Sequence, residues 1–250
     1  MSINKLTSNI KKFLFSITPS TYVLTALLGI VSIVALFLSP YLDSKSNYYK
    51  LAILEDSLRL SQLSKEMMEN NVDYKLYKEV LTTEYALYVS AHDKLSDERR
   101  FSLAKIITTE ANKYDIDPLL VISLIYVESS FNSDSKSNKN ARGLMQLLPN
   151  TAKYIQKKIG DTSSIKNLHD DETNIRLGVA YLDYLIKKND GNIEYALIAY
   201  NMGPANLYKA IAKNQVPKFY SNKVFKEYKS LISAVDSIKL DVDRYTSMND

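Results

Sequence analysis

The stretch DPLLVISLIYVESSF, residues 117–131, decides the fold. Asp117 suits the N-cap of a helix and Pro118 its first position, where the missing N–H costs no hydrogen bond. The nearly unbroken apolar run that follows predicts a helix buried on almost all sides. Glu128 ends this run against Leu124 and Ile125, near the negative end of the helix dipole. Both effects favour a protonated carboxyl group, which is the form that a general acid needs.

Three motifs follow one another in the chain, and the first of them begins with this acid. They are ESSFN at 128–132, ARGLMQLLPNTA at 141–152 and AYNMGP at 199–204, with Asn174-Ile175, Gly178 and Tyr181-Leu182 before the third. Together they resemble the catalytic domain of the lytic transglycosylases, lysozyme-like enzymes that cleave the glycan strands of peptidoglycan. The resemblance implies an all-α, lysozyme-like helical catalytic domain.

The resemblance also implies roles for single residues. Glu128 matches the catalytic acid, which protonates the glycosidic oxygen and later acts as a base. The matching substrate-binding residues are Ser137, Gln146, Tyr200, Asn201 and Tyr220. Purely structural roles stay open for two of them. Tyr200 could be a core aromatic residue whose hydroxyl finds a backbone partner, and Gln146 could cap the helix that begins at Pro149.

No second carboxylate stands in a matching motif. Most glycosidases use two, so the resemblance implies that the substrate's N-acetyl group and muramyl 6-hydroxyl act instead and yield 1,6-anhydromuramyl ends. A hydrolytic muramidase, similar to the goose-type lysozymes, would need Asp134, Asp170 or Asp171 to activate water, although Asp170 suits the cap of the next helix. A non-catalytic wall-binding or scaffold protein is the third hypothesis.

The composition of the chain argues against several classes of binding partner. The net charge of +4 comes without a basic block, which argues against nucleic acid as a partner. The chain has no cysteine, and its two histidines lie in unrelated segments, so neither a metal site nor a cofactor is expected. Peptidoglycan strands are the expected partner.

The uncharged, apolar sequence of the N-terminal segment predicts a membrane anchor. Residues 13–42 carry no charge, and about 20 apolar residues span a bilayer. Lysines at 5, 11 and 12 favour a cytoplasmic N-terminus, which places the catalytic domain on the periplasmic side of the inner membrane. We therefore expect residues 1–42 to hold one transmembrane helix at about 20–40. A cleaved signal peptide is the alternative.

Three further regions follow the anchor. Residues 43–97 are expected to form a helical extension, with amphipathic helices at 48–70 and 72–91. These helices either pack on the catalytic domain or space it from the membrane, and they could bind an unidentified envelope-complex protein. Residues 98–230 form the catalytic domain, with helices from near Asp97, from Asp117, from Pro149 to Gly160 and from Asp170 to Lys188. A short hairpin between 131 and 141 is compatible with the sequence. Residues 231–250 are expected to be a frayed tail.

Overall fold

The computed structural model describes residues 74–91, 93–163, 165 and 167–249, which fall within one compact unit. This part of the chain is all-helical. Its eight helices are α1 (Tyr74–Ala91), α2 (Asp97–Asn112), α3 (Pro118–Ser129), α4 (Pro149–Lys158), α5 (Asp171–Lys188), α6 (Ile193–Met202), α7 (Pro204–Ala212) and α8 (Phe219–Asn249).

Helix α3 is the buried centre of the fold, as its apolar sequence predicts. It contacts α1, α2 and α8, and four of its apolar side chains have no solvent exposure: Val121, Ile122, Leu124 and Ile125. Burying one such side chain contributes roughly 1.5–3 kcal/mol. Surrounded on several sides, α3 holds the residue at its end in a fixed position.

The predicted helix ends are largely confirmed. Asp117 accepts a hydrogen bond from the Leu119 N–H at 2.8 Å with Pro118 in the first turn. Asp170 accepts one from the Thr173 N–H at 2.9 Å, so its capping role is also confirmed. Gly160, with φ +69°, lies just beyond α4.

Two regions differ from the simplest expectation. The segment between α3 and α4 contains isolated antiparallel bridges, Lys136 with Arg142 and Arg142 with Leu147, rather than a regular hairpin. Helix α8 continues to Asn249, so the backbone after residue 230 is helical where a frayed tail was expected.

The expected anchor, at about 20–40, and the first extension helix, 48–70, lie outside the described residues. Within the described part, no helix is both long and apolar enough to cross a bilayer. The second extension helix, expected at 72–91, corresponds to α1, which contacts α2, α3 and α8. This half of the extension therefore packs against the helical unit.

Candidate active site

Glu128 lies at the penultimate position of α3, where the backbone turns sharply. Ser130 and Phe131 follow it with φ of 50° and 65°, in the left-handed region that non-glycine residues seldom adopt. The turn buries Phe131 to 2% exposure. Glu128 itself is half-buried. Its carboxyl group has therefore lost part of its hydration but stays accessible to a substrate.

The environment of Glu128 favours the neutral carboxyl group. Burial raises its pKa from 4.5 to about 7, against a smaller opposite effect of a hydrogen bond from Tyr220. The Tyr220 hydroxyl donates to Oε1. Desolvation thus dominates, and near neutral pH the group can both give and take a proton.

Two tyrosines flank this carboxyl group. Tyr220 comes from the first turn of α8 and Tyr200 from α6. Burial, followed by the negative charge of Glu128, raises the pKa of both hydroxyls well above the usual value. Both therefore keep their protons and act as hydrogen-bond donors across the ordinary pH range.

Tyr200 also fixes the loop between α3 and α4. Its hydroxyl donates to the Met145 carbonyl at 2.8 Å, and its ring lies 5.1 Å from the Tyr181 ring, centroid to centroid. The backbone partner considered for a structural Tyr200 is therefore present. This hydrogen bond also holds the second motif, which contains Met145, against Tyr200 of the third motif.

Asn174 of α5 ties this loop to the core. Its Oδ1 accepts from the Met145 N–H at 2.7 Å, while Nδ2 donates to the carbonyls of Arg142 at 2.9 Å and Leu168 at 2.7 Å. The side chain is fully buried. A buried amide that satisfies three backbone groups positions the loop without exposing any polar atom.

Gly143 stands where the loop passes closest to α5. Its φ is +78°, and a Cβ there would lie 2.2 Å from the Leu168 carbonyl oxygen and 2.3 Å from Nδ2 of Asn174. No side chain fits that space. The glycine that opens the second motif is therefore required both by conformation and by close approach.

Gln146 lies half-buried in the same loop with φ 48°. Its side-chain amide donates to the carbonyls of Ser135 at 3.0 Å and Gly143 at 2.9 Å. The capping role considered for Gln146 is wrong, because α4 begins at Pro149 without a side-chain cap. The amide instead holds two parts of the loop together.

The other two expected binding residues lie on the surface side of the unit. The Ser137 hydroxyl accepts from the backbone N–H of Ala141 at 3.0 Å and of Lys139 at 3.3 Å, which closes a turn. Asn201 is exposed near the end of α6. Of the expected residues, Tyr220 contacts Glu128 through a hydrogen bond, and Tyr200 lies near enough for the charge of Glu128 to act on its hydroxyl. The substrate-binding roles of both tyrosines, like those of Ser137, Gln146 and Asn201, stay predictions.

Two of the three acids considered for a hydrolytic reaction have other contacts. Asp170 caps α5, and Asp171 accepts a hydrogen bond from the Ser133 hydroxyl and pairs with Arg99 at 3.3 Å. Asp134 is exposed. Over the described residues, no group of three His, Asp or Glu side chains is arranged to hold a metal ion.

Sequence reasoning gave no role to Asn174 or Tyr181, although both stood in the quoted motifs. A signal for Asn174 was present: it is a polar residue beside Ile175 and Leu177, on a face that the helical period places in the core. The aromatic contact of Tyr181 with Tyr200 joins two helices and has no local signal.

Comparison with known proteins confirms the resemblance for the central part of the chain. Residues 105–222 match the family described as Transglycosylase SLT domain. Membrane-bound lytic murein transglycosylase E of Buchnera aphidicola is 40% identical over 119 residues, which cover 44% of this chain and 54% of that protein.

Two further relatives are more distant. Membrane-bound lytic murein transglycosylase C of Histophilus somni is 34% identical over 48% of this chain and 38% of its own length. The 70 kDa soluble lytic transglycosylase of Escherichia coli, a solved structure, aligns over 75% of this chain and 35% of its own at 21% identity, with a TM-score of 0.43. The chain spans about half or less of the length of these relatives.

Proposed function

We propose that this chain, whose residues 105–222 match the transglycosylase SLT domain, is a peptidoglycan lytic transglycosylase with Glu128 as its single catalytic acid. It cleaves the β-1,4 bond between N-acetylmuramic acid and N-acetylglucosamine and forms 1,6-anhydromuramyl ends. The observation that carries the proposal is the carboxyl group of Glu128, whose pKa is raised to about 7 by burial beside two tyrosines.

In the first step, the protonated Glu128 gives its proton to the glycosidic oxygen as the bond to the anomeric carbon breaks. The positive charge that develops at this carbon is stabilised by the substrate's own N-acetyl group. Glu128, now a carboxylate, accepts the hydrogen bond of Tyr220. That bond stabilises the ionised form and so offsets part of the cost of its burial.

In the second step, the carboxylate takes the proton of the muramyl 6-hydroxyl. The freed oxygen bonds to the anomeric carbon and closes the 1,6-anhydro ring, so Glu128 ends in its initial, protonated state. A group with a pKa near 7 can serve both steps at neutral pH. No water molecule is consumed.

The contacts of Asp170 and Asp171 favour this reaction over hydrolysis. Most hydrolases of glycosidic bonds use a second carboxylate across the scissile bond. Asp170 is a helix cap and Asp171 is held by Ser133 and Arg99. The raised pKa of Glu128 likewise favours an enzyme over a binding or scaffold protein, since binding alone has no use for a desolvated acid.

We further propose that the chain acts from the membrane. The relatives of types E and C are named membrane-bound, and the apolar segment at about 20–40 is long enough for one span. Its flanking lysines favour the inner membrane with residues 98–230 on the periplasmic side. A lysozyme-like catalytic domain placed there would face its substrate directly.

The test is release of soluble fragments from purified peptidoglycan by the full chain in mild detergent. Glu128→Gln keeps the shape of the side chain and removes the acid, so the rate should fall by at least about a hundredfold. Glu98→Gln, at an exposed position of α2, is the matched control and should retain activity. If the Glu128→Gln variant released fragments as fast as the wild type, the role of Glu128 would be refuted.

A further inference from the structure

A row of tyrosine rings leads from the proposed site to the surface. From Tyr200, the ring centroids follow at 5.1 Å to Tyr181, 6.3 Å to Tyr184 and 5.7 Å to Tyr154. Tyr200 is buried, Tyr181 and Tyr184 are half-buried, and Tyr154 is 51% exposed. The row therefore begins beside Glu128 and ends in solvent.

Two lysines converge on the outer part of this row. The ammonium nitrogens of Lys158 and Lys188 lie 5.1 Å and 5.5 Å from the centroid of the Tyr184 ring, and Lys188 also donates to the Tyr184 hydroxyl at 3.1 Å. These contacts hold two positive charges close to one aromatic ring. We define Tyr154, Tyr184, Lys158 and Lys188 as the tyrosine–lysine strip.

The strip borders an open groove between α4 and α5 of about 600 Å³. Ile159, which is 38% exposed, contributes apolar surface to it. Another lysine of the groove, Lys187, is neutralised by Asp183 at 2.8 Å. Among the described residues, neither Lys158 nor Lys188 pairs with a carboxylate.

The chemistry of the strip selects its ligand. Aromatic faces suit the apolar faces of sugar rings, but two ammonium groups without acidic partners favour an anion. A polymer that combines sugar rings with carboxylates at a short distance matches both features. Peptidoglycan is such a polymer, because its stem peptides carry carboxylates beside the glycan strand.

We propose that the tyrosine–lysine strip binds the stem-peptide carboxylates of the same peptidoglycan strand that the Glu128 site cleaves. This inference rests on the proposed function, since it takes the substrate class from it. The strip would hold the strand beyond the scissile bond and favour strands that still carry their peptides.

The test measures binding without turnover, with every variant made in the full chain carrying Glu128→Gln. The probes are soluble glycan strands with stem peptides and the same strands after an amidase has removed the peptides. The strip variant is Lys158→Gln with Lys188→Gln. The control, Lys105→Gln with Lys229→Gln, removes the same charge from exposed positions on α2 and α8.

We expect tighter binding of the peptide-bearing strands. The strip variant should weaken that binding by about threefold to tenfold, the range for losing two exposed charge contacts. It should weaken binding of the stripped strands by less, because amide hydrolysis leaves only the lactyl carboxylate on each muramyl residue. The control should bind both probes like its parent. Addition of salt should reduce the difference between the two probes.

Three outcomes would overturn the proposal. They are equal affinity of the parent for both probes, an equal loss in the strip and control variants, and a strip-dependent affinity for vesicles of anionic lipid without any preference for stem peptides. Failure of the proposed function is distinguishable from these, because the chain with Glu128 intact would then form no anhydro ends, and none of the three outcomes affects the formation of those ends.

Discussion

Replacement of Glu128 by glutamine should make the protein more stable at neutral pH while it abolishes cleavage. Folding raises the pKa of this carboxyl group from 4.5 to about 7. Between these values the folded state holds a proton that the unfolded state releases, so the stability of the wild type falls as the pH rises through this window. At about 1.4 kcal/mol per pKa unit, the full shift is worth about 3 kcal/mol.

The glutamine side chain cannot ionise, so the variant does not lose stability in this way as the pH rises. The free energy of unfolding of Glu128→Gln, relative to the wild type, should therefore grow by up to about 3 kcal/mol between pH 4 and pH 8. Urea denaturation of the full chain in mild detergent, followed by far-ultraviolet circular dichroism at several pH values, measures the difference.

The reference variant for this experiment is Glu98→Gln. Its side chain is exposed, so folding removes little of its hydration, and no comparable gain at high pH is expected. If the difference between Glu128→Gln and the wild type stayed constant from pH 4 to pH 8, Glu128 would not be a desolvated acid, and the reasoning would be refuted.

Three further predictions follow from the contacts around the site. Tyr220→Phe removes the hydrogen bond that lowers the pKa of Glu128. The alkaline limb of the pH–rate profile should therefore shift to higher pH, and the maximal rate should fall. An unchanged profile would contradict the assigned contact. Asn174→Leu leaves the Met145 N–H and the Leu168 carbonyl without their partners and should lower the free energy of unfolding by roughly 2–5 kcal/mol, which urea denaturation would measure; a loss below 1 kcal/mol would contradict the assigned contacts. Gly143→Ala introduces a Cβ 2.2 Å from a carbonyl oxygen and should destabilise more than Gly160→Ala, which also has positive φ but meets nothing within 4 Å; equal melting temperatures would contradict the steric argument.

The helix that carries the acid was predictable because its signals are local. Asp117 and Pro118 mark its start, and the apolar run that follows can only be buried. The raised pKa of Glu128 also followed from its apolar neighbours. The dominant cause proved to be burial, which agrees with that reasoning.

The partners of the acid were not predictable from local pattern. Tyr220 lies 92 residues away in the chain, and only the resemblance to a family pointed to it. Helix α8 continues to Asn249, although its late residues lack an obvious apolar stripe. A contact between distant helices decides the position of Tyr220, and periodicity within one helix carries no information about it.

The loop between α3 and α4 shows a different limit. Its sequence is rich in Ser, Asn and Lys and predicts turns, and the structure contains them. The hydrogen bonds of Asn174 depend on how α5 packs against the loop. Those of the Gln146 amide depend on how the loop folds back on itself. A motif can mark such residues, but only the packed structure shows what their side chains contact.

The central claim is tested most directly by mass spectrometry of the new glycan ends released from purified peptidoglycan by the full chain. The account predicts 1,6-anhydromuramyl ends that disappear with Glu128→Gln, because the 6-hydroxyl closes on the anomeric carbon without water. Reducing ends that carry oxygen from isotopically labelled water would contradict it and would indicate a hydrolase with a second carboxylate.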